Sequence, residues 1–370
     1  MVEAITRPTR LEVSKSAVEH NITTIKNVSG ADKVFLTVKS NAYGFGLIPM
    51  AQAAVAGGIY GLGVAVLDEA IALRHERITA PILILGISQV KYVELMAVQH
   101  IMATVVSLDW LEKAEHQLTG EQRLPVTLGI DTGMGRIGFR DRETLAKAIQ
   151  FVLDHADKFE YVGLSTHFAE SDSSDTRYFQ KQLTRWHQLT DDLPKPNYYH
   201  VANSGAAMYH AEEVPHEVVR VGTVLYGIEP SRGELADGRN LKPVMALRSE
   251  VNFVKRLPAG EGISYSHKYT TTQNEWIGTV PIGYGDGWLR KLMGFKVIID
   301  GQYAPIVGQV AMDQLMICLP REYPEGTTVT FIGQDGDLEN TIEDVAQFAG
   351  LAPWEITTGL QDRIHRILVD

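Results

Sequence analysis

The residue most suited to chemistry in this chain is a lysine at the end of a short apolar run. Lys39 follows the run Val34–Val38 and begins the segment Lys39–Gly46, which is rich in glycine and aromatic residues. Burial disfavours the charged form of an amine and lowers its pKa, so a lysine in this position can attack a carbonyl group. Most lysines are solvated surface residues, and the position by itself makes a reactive amine only a hypothesis.

Other polar residues stand at the ends of later apolar runs. They are Arg136 after the fifth run, His167 after the sixth, Asn203 and Ser204 after the seventh, and Arg220 within the eighth. If these runs are parallel strands of one barrel, their carboxyl ends meet at the face where such folds place their active sites. Lys39 and these five residues would then converge on one mouth.

Each of these residues also has a purely structural interpretation. Arg136 lies in the glycine-rich segment Asp131–Gly138 and is compatible with a solvated turn, and most histidines such as His167 are simply hydrogen-bonded. Ser204 is compatible with a helix N-cap, which is also an anion site because free backbone N–H groups face outward there. By default, Tyr265 would be a half-buried strand tyrosine. The residues alone leave these alternatives open.

The elements that must position these residues alternate between apolar runs and amphipathic segments. The runs are Val34–Val38, Tyr60–Val66, Ile82–Ile87, Met102–Val106, Val126–Ile130, Tyr161–Thr166, Tyr198–Ala202 and Val218–Tyr226. Helix-like segments such as Ile48–Ala56, Val90–Gln99 and Asp175–Asp191 separate them. Alternation of this kind predicts right-handed crossovers and a parallel sheet. Eight units favour an N-terminal (β/α)8 TIM-type barrel, with an open doubly wound sheet as the alternative.

The pattern changes after Glu229–Gly233. Strand candidates separated by glycine, proline and asparagine turns follow, and a helix pattern returns only at Asn340–Phe348. We therefore predict an α/β protein with two domains, a barrel over residues 11–235 and a mostly antiparallel β domain over residues 236–370. The first ten residues are expected to join the β domain.

Composition restricts the class of protein. A net charge of −11, with 45% hydrophobic and 21% charged residues, indicates a soluble globular protein and argues against nucleic acid or membrane partners. The single cysteine, Cys318, permits no intrachain disulfide, and the first residues lack a signal-peptide pattern, so a cytoplasmic location is predicted. Twelve histidines are scattered without ligand spacing, so we predict no metal.

Several motifs together resemble those of the alanine racemases, and the resemblance runs along essentially the whole chain. It rests on the segments Lys39–Gly46, Asp131–Gly138, Gly262–Ser266, Gly283–Arg290 and Gln309–Gln314. The resemblance implies an enzyme that uses pyridoxal 5'-phosphate (PLP) and acts as a homodimer, each active site joining one subunit's barrel to the other's β domain. It also implies that L- and D-alanine are interconverted to supply D-alanine for peptidoglycan.

Racemisation removes a proton from one face of Cα and returns one to the other, so two acid/base groups are needed. The resemblance implies that Lys39 holds PLP and serves the D-enantiomer, while Tyr265 of the partner subunit serves the L-enantiomer. A free tyrosine has a pKa of about 10, so it needs a lowered pKa or a relay to act as a base. The family's relay corresponds to His167 and Arg220. Arg220 would contact the PLP ring nitrogen and keep the ring largely neutral, because an arginine does not readily give up its proton.

Further residues correspond to the family's ligand contacts. Those assigned to the cofactor are Lys39, Tyr43, Arg136, His167, Asn203, Ser204, Arg220, Gly222, Thr223 and Trp354, and those assigned to the substrate are Arg136, Met312 and Asp313. Arg136 would contact the phenolic oxygen of PLP and the substrate carboxylate, and Met312 would supply a backbone donor.

Three positions depart from the family's pattern. Trp354 stands where the family has a tyrosine that contacts phosphate and narrows the substrate pocket, and an indole is bulkier and accepts no hydrogen bond. Gly129 stands where many relatives carry a carbamylated lysine, so Arg136 needs another neutralising partner, such as chloride. Ala311 replaces a frequent cysteine, a change expected to be mild.

Other functions remain as alternatives. Trp354 alters the pocket wall, so racemisation of serine or of a broader set of amino acids is one alternative function. A smaller pocket nevertheless favours alanine. A PLP-dependent decarboxylase would require a C-terminal cysteine-aspartate motif, which Cys318–Leu319 does not supply. A PLP-carrier protein of the barrel type generally lacks a β domain, so the segment with Tyr265 argues against it.

Overall fold

The computed structural model describes residues 2–215, 217–235 and 240–370. This part of the chain forms two compact units. The first comprises Lys15–Ala42 and Met50–Lys242, and the second comprises the N-terminal residues up to Ser14, Tyr43–Pro49 and Pro243–Asp370. The predicted boundary between residues 235 and 236 stays a prediction, because residue 236 lies outside the described residues.

The first unit is a (β/α)8 barrel. Its parallel strands, numbered 1 to 8 below, are Lys33–Thr37, Gly61–Val64, Ile82–Ile84, Ile101–Val105, Leu124–Gly129, Phe159–Ser165, Tyr198–His200 and Val218–Val221. Successive strands pair from the first to the seventh, and the first strand also pairs with the eighth. The Arg220 N–H donates to the Ala202 carbonyl at 2.9 Å and links strand 8 to the segment after strand 7. The predicted barrel is confirmed, and the doubly wound alternative is wrong.

Helices alternate with these strands, and three of them begin after a residue whose side chain caps the helix, namely Ser107, Asp141 and Asn203. The α-helices are Lys15–Ser29, Leu47–Ala56, Leu67–His75, Val93–Val98, Leu108–Gln117, Arg142–Asp154, Arg177–Thr190 and Ser204–Tyr209, with 3-10 helices at Val90–Tyr92, Ala211–Glu213 and Thr223–Tyr226. Asp141 Oδ1, for example, accepts from the Thr144 N–H at 2.8 Å and satisfies a donor that the helix itself leaves open. Apolar residues at helical spacing then bury one face of each long helix.

Side chains fill the inside of the barrel. One buried cluster consists of Phe35, Leu83, Met102, Val162, Tyr198 and Val218, which come from six different strands. The interior is therefore a packed core, and polar residues meet at the carboxyl ends of the strands instead.

The second unit is a mostly antiparallel sheet, as predicted. Its spatial order is Phe253–Leu257, Glu275–Val280, Leu315–Leu319, Gln302–Val307, Lys296–Ile299, Thr328–Asp335, Met245–Glu250, Arg10–Ser14 and His365–Val369, with Leu338–Asn340 paired to Thr328–Asp335. Arg10–Ser14 and His365–Val369 are the parallel pair. A hairpin joins Gly262–Ile263 to Tyr269–Thr270. The helices are Ile342–Ala349 and Pro353–Gly359, with 3-10 helices at Tyr265–His267, Tyr284–Asp286 and Arg290–Leu292.

Several elements differ from expectation. The predicted strand Met245–Val254 is divided into Met245–Glu250 and Phe253–Leu257, and the strands Gln302–Val307 and His365–Val369 were not predicted. The predicted strand Val218–Tyr226 ends at Val221, because Gly222 (φ −123°, ψ −84°) leaves the extended conformation and a 3-10 helix follows. The predicted helix Val90–Gln99 is interrupted at Tyr92, whose φ and ψ are −107° and 7°. The helix Pro353–Gly359 was not predicted, although a proline in the first turn of a helix is a recognised start signal.

No helix in the described ranges is long and apolar enough to cross a membrane. Within the same ranges, no three His, Cys, Asp or Glu side chains are arranged to hold a metal ion. The absence of a metal stays a prediction.

Candidate active site

Lys39 lies just beyond barrel strand 1, which ends at Thr37. The next four residues, Ser40–Tyr43, have φ angles of 54°, 54°, 52° and 54° and form a left-handed turn. The Ala42 N–H donates to the Val38 carbonyl at 2.8 Å within this turn. A left-handed conformation costs about 1–2 kcal/mol for each residue that is not glycine. Strain of this kind is frequent at functional sites.

The environment of the Lys39 amine is cationic. Burial lowers the pKa of Lys39, the Arg136 guanidinium lowers it further, and the Glu69 carboxylate acts in the opposite direction. A lowered pKa raises the fraction of neutral amine, which is the nucleophilic form. The structure therefore gives Lys39 the property that its sequence position suggested.

His167 follows barrel strand 6, which ends at Ser165. Burial lowers the pKa of His167 to about 3, and the charges of Arg220, Arg136 and Lys39 add to this effect. The imidazole is consequently neutral near neutral pH. These four predicted site residues are close enough to influence one another electrostatically at the carboxyl end of the barrel.

Arg220 lies on barrel strand 8, and its side chain is buried. Its Nη1 donates to His200 Nδ1 at 2.9 Å and its Nη2 donates to the Thr166 carbonyl at 2.6 Å. Burial lowers the pKa of Arg220 to about 10, with Arg136 adding to the effect, so the group stays positive at neutral pH. The contacts place Arg220 beside His200, and the predicted relay from His167 to Arg220 stays a prediction.

His200 is a buried residue that sequence reasoning missed. An arginine can only donate, so His200 Nδ1 accepts and the ring proton lies on Nε2, 3.2 Å from Thr127 Oγ1. Burial and the charge of Arg220 hold the pKa of His200 well below its ordinary value. Gly163 makes room for the ring, since a Cβ there would be 2.6 Å from Nε2. The available signal was the position of His200 at the carboxyl end of strand 7.

Arg136 lies on a loop that folds around one carboxylate. Asp131 Oδ1 accepts from the N–H groups of Gly133 at 3.0 Å and Gly135 at 2.9 Å. Gly138 has a φ of 133°, and a Cβ there would be 2.3 Å from the Asp131 nitrogen, so only glycine fits. Arg136 itself is exposed, yet its charge lowers the pKa of both His167 and Lys39. The glycine-rich motif thus builds a tight loop at the mouth of the barrel.

Gln182 joins this loop to the segment after strand 6. Gln182 is fully buried on the helix Arg177–Thr190. Its Nε2 donates to Thr132 Oγ1 at 3.1 Å and to the His167 carbonyl at 3.0 Å, while its Oε1 accepts from the Ala169 N–H at 2.9 Å. Sequence reasoning missed Gln182, although it occupies an inward-facing helical position where an apolar residue is usual.

Asn203 and Ser204 begin the helix after strand 7. The N-cap is Asn203, whose Oδ1 accepts from the Ala206 N–H at 3.1 Å, so the interpretation of Ser204 as the cap is wrong. Ser204 Oγ instead accepts from the Gly222 N–H at 3.0 Å, and Thr223 follows directly. The structure therefore brings together three predicted phosphate ligands, at the place where barrels often bind phosphate.

Tyr43 and Trp354 pack together in the second unit. Their ring centroids are 4.8 Å apart and their planes lie at 66°. Burial raises the pKa of Tyr43 to about 12, so its hydroxyl keeps its proton. Gly44 has a φ of 88°, and a Cβ there would be 1.9 Å from the Thr357 carbonyl oxygen. This glycine allows the segment with Tyr43 to approach the helix that carries Trp354.

Tyr265 projects from a strained turn of the second unit. Ser264, Ser266 and His267 have φ angles of 61°, 58° and 46°, and the Tyr265 residue is 68% exposed. Ser264 Oγ donates to the Gln309 carbonyl at 2.6 Å and holds the turn against the neighbouring motif. The default interpretation of Tyr265 as a half-buried strand residue is therefore wrong.

Met312 and Asp313 lie within that neighbouring motif, Gln309–Gln314. The Gly285 N–H donates to the Met312 carbonyl at 2.8 Å, and a Cβ on Gly283 would be 2.4 Å from the same oxygen. Asp313 Oδ1 accepts from Arg363 Nη1 at 2.8 Å. The motifs Gly283–Arg290 and Gln309–Gln314 thus meet in the fold.

A buried carboxylate holds this arrangement. The Asp286 side chain is 0% exposed, and its Oδ1 accepts from Arg7 Nη1 at 2.8 Å. Its Oδ2 accepts from the Gly283 N–H at 2.9 Å, and Arg363 Nε lies 3.5 Å from Oδ1. Arg363 therefore reaches both Asp286 and the predicted substrate residue Asp313.

The donor set of the barrel fits an anionic cofactor. Lys39, Arg136 and Arg220 carry positive charge, and the Ser204 hydroxyl, which accepts from the Gly222 N–H, has its own proton to donate. A phosphate group and a phenolic oxygen, as in PLP, are the kinds of ligand that such groups bind. The residues therefore fit the cofactor that the resemblance implies, and their individual roles toward it stay predictions.

Comparisons with known proteins agree with this arrangement. The family model described as "Alanine racemase, N-terminal domain" matches residues 13–230, and that described as "Alanine racemase, C-terminal domain" matches residues 244–368. The chain is 51% identical to a lysine racemase of Oenococcus oeni over 372 residues, which is 100% of both chains.

Solved structures give the same family with more than one substrate. An alanine racemase from Oenococcus oeni has a TM-score of 0.94 at 50% identity, and a histidine racemase from Leuconostoc mesenteroides subsp. sake has a TM-score of 0.96 at 35% identity. Both matches cover 100% of each chain. The names of these relatives differ in the amino acid that is racemised, so they leave the substrate of this chain open. The chain belongs to the alanine racemase family and is a PLP-dependent amino-acid racemase.

Proposed function

We propose that this enzyme interconverts L- and D-alanine and uses Lys39 and Tyr265 as its two acid/base residues. The cationic cluster of Lys39, Arg136 and Arg220 carries the proposal, because the amine of Lys39 has a lowered pKa and lies within electrostatic reach of His167. PLP, when bound, supplies an electron sink that stabilises negative charge on the substrate Cα. The remaining task for the protein is to remove the Cα proton from one face of that carbon and to deliver a proton to the opposite face.

Lys39 would serve the D-enantiomer. Its lowered pKa leaves part of the amine neutral and able to take the Cα proton, and the resulting ammonium can return a proton in the opposite direction. Arg136 stands exposed at the mouth and would bind the substrate carboxylate, since a guanidinium holds a carboxylate through two parallel hydrogen bonds.

Tyr265 would serve the L-enantiomer from a second copy of the chain. A tyrosine that is 68% exposed on a strained turn has its ring available to another molecule, which supports a homodimer with shared active sites. Activity would then require the dimer, because Lys39 and Tyr265 act on opposite faces of the same carbon.

The Tyr43–Trp354 pair supports alanine as the substrate. The indole of Trp354 is bulkier than the family's tyrosine, and its edge-on packing against Tyr43 would narrow the substrate pocket. A small pocket favours a methyl side chain over the long chain of lysine. The second candidate is a lysine racemase, which the 51% identity to the Oenococcus oeni enzyme of that name favours. Serine, or a broader set of amino acids, is a further candidate.

The proposed product indicates the metabolic role of the enzyme and its location in the cell. D-alanine would supply peptidoglycan synthesis, and we propose a cytoplasmic location, which the lone cysteine Cys318 supports. No nucleic acid or membrane partner is expected for a chain with a net charge of −11.

The test is a racemisation assay on the purified enzyme with single L-enantiomers of alanine, serine, lysine and histidine, followed by chiral chromatography. We expect the highest kcat/KM with alanine and loss of activity in Lys39→Ala and Tyr265→Phe. A higher kcat/KM with lysine would replace alanine by the second candidate. Full activity of either variant would contradict the two-base mechanism.

A mixture of the two inactive variants tests the shared site. After subunit exchange, half of the dimers pair one Lys39→Ala chain with one Tyr265→Phe chain, and each such dimer has one intact site. About a quarter of wild-type activity should return, because half of the dimers are mixed and one of their two sites is complete. No recovery, with exchange verified by mass spectrometry, would contradict the shared active site.

A further inference from the structure

One carboxylate joins the segments that follow barrel strands 1 and 2. Glu69 Oε1 accepts from the Ser40 N–H at 2.6 Å, and Oε2 accepts from the N–H groups of Ala65 at 2.8 Å and Val66 at 3.3 Å. Ser40 is the residue directly after Lys39. Glu69 thus reaches from the first turn of its helix to the backbone that carries the reactive amine.

The backbone at this point needs an anchor. Ser40 begins the left-handed turn Ser40–Tyr43, a conformation that residues other than glycine adopt unfavourably. Hydrogen bonds from backbone N–H groups to a carboxylate are roughly twice as strong as those to a neutral acceptor. Because the direction of the Lys39 side chain depends on the peptide that follows it, the Glu69–Ser40 bond fixes where the amine points.

Glu69 also differs in charge from the other groups that act on Lys39. Burial and Arg136 both disfavour the ammonium form, the imidazole of His167 is neutral, and Glu69 favours the ammonium. An acid/base residue must be able both to take a proton and to hold it until it is returned. Without a nearby negative charge, the amine would release a proton too readily to serve as the acid.

We propose that Glu69 is a positioning residue for Lys39, which fixes the backbone beside the amine and supplies the negative charge that lets the amine hold a proton. This inference rests on the proposed role of Lys39. Glu69→Gln keeps the size of the side chain but removes the charge. The proposal predicts that this variant impairs proton transfer by Lys39 specifically.

The first measurement concerns the amine and needs no catalysis. The full-length chain is dialysed against hydroxylamine, which releases the imine-bound cofactor from Lys39, and then against buffer. It is labelled with an amine-acylating reagent over a range of pH, and modification of Lys39 is followed by mass spectrometry. Glu69→Gln should label Lys39 with a midpoint at lower pH than the wild type. An unchanged midpoint would contradict the electrostatic part of the proposal.

The second measurement concerns the holoenzyme and alanine. Misplacement of a catalytic group by about 1 Å costs on the order of 100-fold, so we expect kcat/KM to fall about 10- to 100-fold in Glu69→Gln. L- and D-alanine have equal free energies, so kcat/KM must fall equally in both directions and cannot identify the impaired base. The isotope effect on kcat/KM can: with alanine deuterated at Cα it should rise for the D-enantiomer, whose proton Lys39 removes. It should not rise for the L-enantiomer, because slower transfer by Lys39 makes the step at Tyr265 less rate-limiting.

Glu94→Gln is the matched control. Glu94 Oε2 also accepts from backbone N–H groups, those of Thr119 at 3.2 Å and Gly120 at 3.4 Å, but it is absent from the groups that shift the pKa of Lys39. The control should keep the wild-type labelling midpoint and isotope effects. If Glu69→Gln behaves like this control, the positioning role of Glu69 is wrong. If the wild-type enzyme itself fails to racemise alanine while the labelling shift is present, the proposed function fails and the role of Glu69 stands.

Discussion

Replacement of Gln182 by methionine should reduce catalysis more than stability. Methionine has a similar length and fits the buried space, but it offers no comparable donor or acceptor. Thr132 Oγ1 keeps its partner Thr166 Oγ1 at 2.8 Å, and Ala169 lies at an exposed position where its N–H can bind water. The His167 carbonyl is left as the group without a partner. We therefore expect the free energy of unfolding to fall by about 1–3 kcal/mol, the cost of one unsatisfied buried group.

The catalytic effect should be larger because two predicted site segments lose a common tether. Gln182 holds the loop that carries Arg136 and the backbone of His167, so both gain freedom in the variant. A displacement of about 1 Å costs on the order of 100-fold, and we expect kcat/KM to fall about 10- to 100-fold. Urea denaturation measures the first quantity and an alanine racemisation assay measures the second.

The control is Gln150→Met on a different helix. Gln150 is exposed, and its Nε2 donates to Asp154 Oδ1 at 2.7 Å, so the change in the free energy of unfolding should stay within about 0.5 kcal/mol and kcat/KM should not change. If Gln182→Met loses stability but keeps wild-type kcat/KM, the tether does not position the site. If it loses neither, the three hydrogen bonds of Gln182 have no net effect and the reasoning fails.

Three further predictions concern the strained and charged positions. Gly44→Ala should lower the thermal midpoint and soluble yield far more than Gly58→Ala, because a Cβ at Gly44 meets a carbonyl oxygen at 1.9 Å whereas nothing lies within 4 Å at Gly58. The pKa of His167 is about 3 in the folded protein and about 6.5 in the unfolded chain, so its contribution to stability is complete above about pH 6.5 and is lost as the pH falls. Between about pH 7 and about pH 5, the thermal midpoint of His167→Gln should therefore fall less than that of the wild type. Asp286→Asn should cost about 3 kcal/mol in urea denaturation, since two arginines lose a buried partner, while the exposed Asp300→Asn should cost less than about 1 kcal/mol.

The barrel could be predicted from the sequence because its strands are buried on both faces. Every residue of Leu124–Gly129 is buried, as is every residue of Ile101–Val105, so each strand is a continuous apolar run and not an alternating one. The carboxyl end of each run then gives the position of the next polar residue. This is why the sequence alone could assign Lys39 and His167 to one end of the barrel.

The contacts that orient these residues could not be predicted in the same way. His200 and Gln182 depend on hydrogen bonds between residues 13 to 73 positions apart, and no local pattern determines such partners. The turn after Lys39 was expected to be a glycine-rich loop, yet its left-handed residues are serine, asparagine, alanine and tyrosine. Local propensity argues against that conformation, so only the surrounding structure can impose it.

Backbone strain lies beside both proposed acid/base residues, although they belong to different units of the chain. Lys39 is followed by four left-handed residues, and Tyr265 lies between Ser264 and Ser266, which are both left-handed. Glycine at these positions would relieve the strain at no steric cost, but it would also let the neighbouring side chain sample many directions. Residues that are not glycine keep the backbone in one narrow region once the contacts of Glu69 with Ser40, and of Ser264 with the Gln309 carbonyl, hold it there. A racemase has to present one acid/base group to each face of a single carbon. An error in the direction of such a group lowers the rate as directly as an error in its pKa. We infer that the two turns lower stability in exchange for fixed side-chain direction, and that this requirement explains why left-handed residues other than glycine flank the two residues proposed to transfer protons.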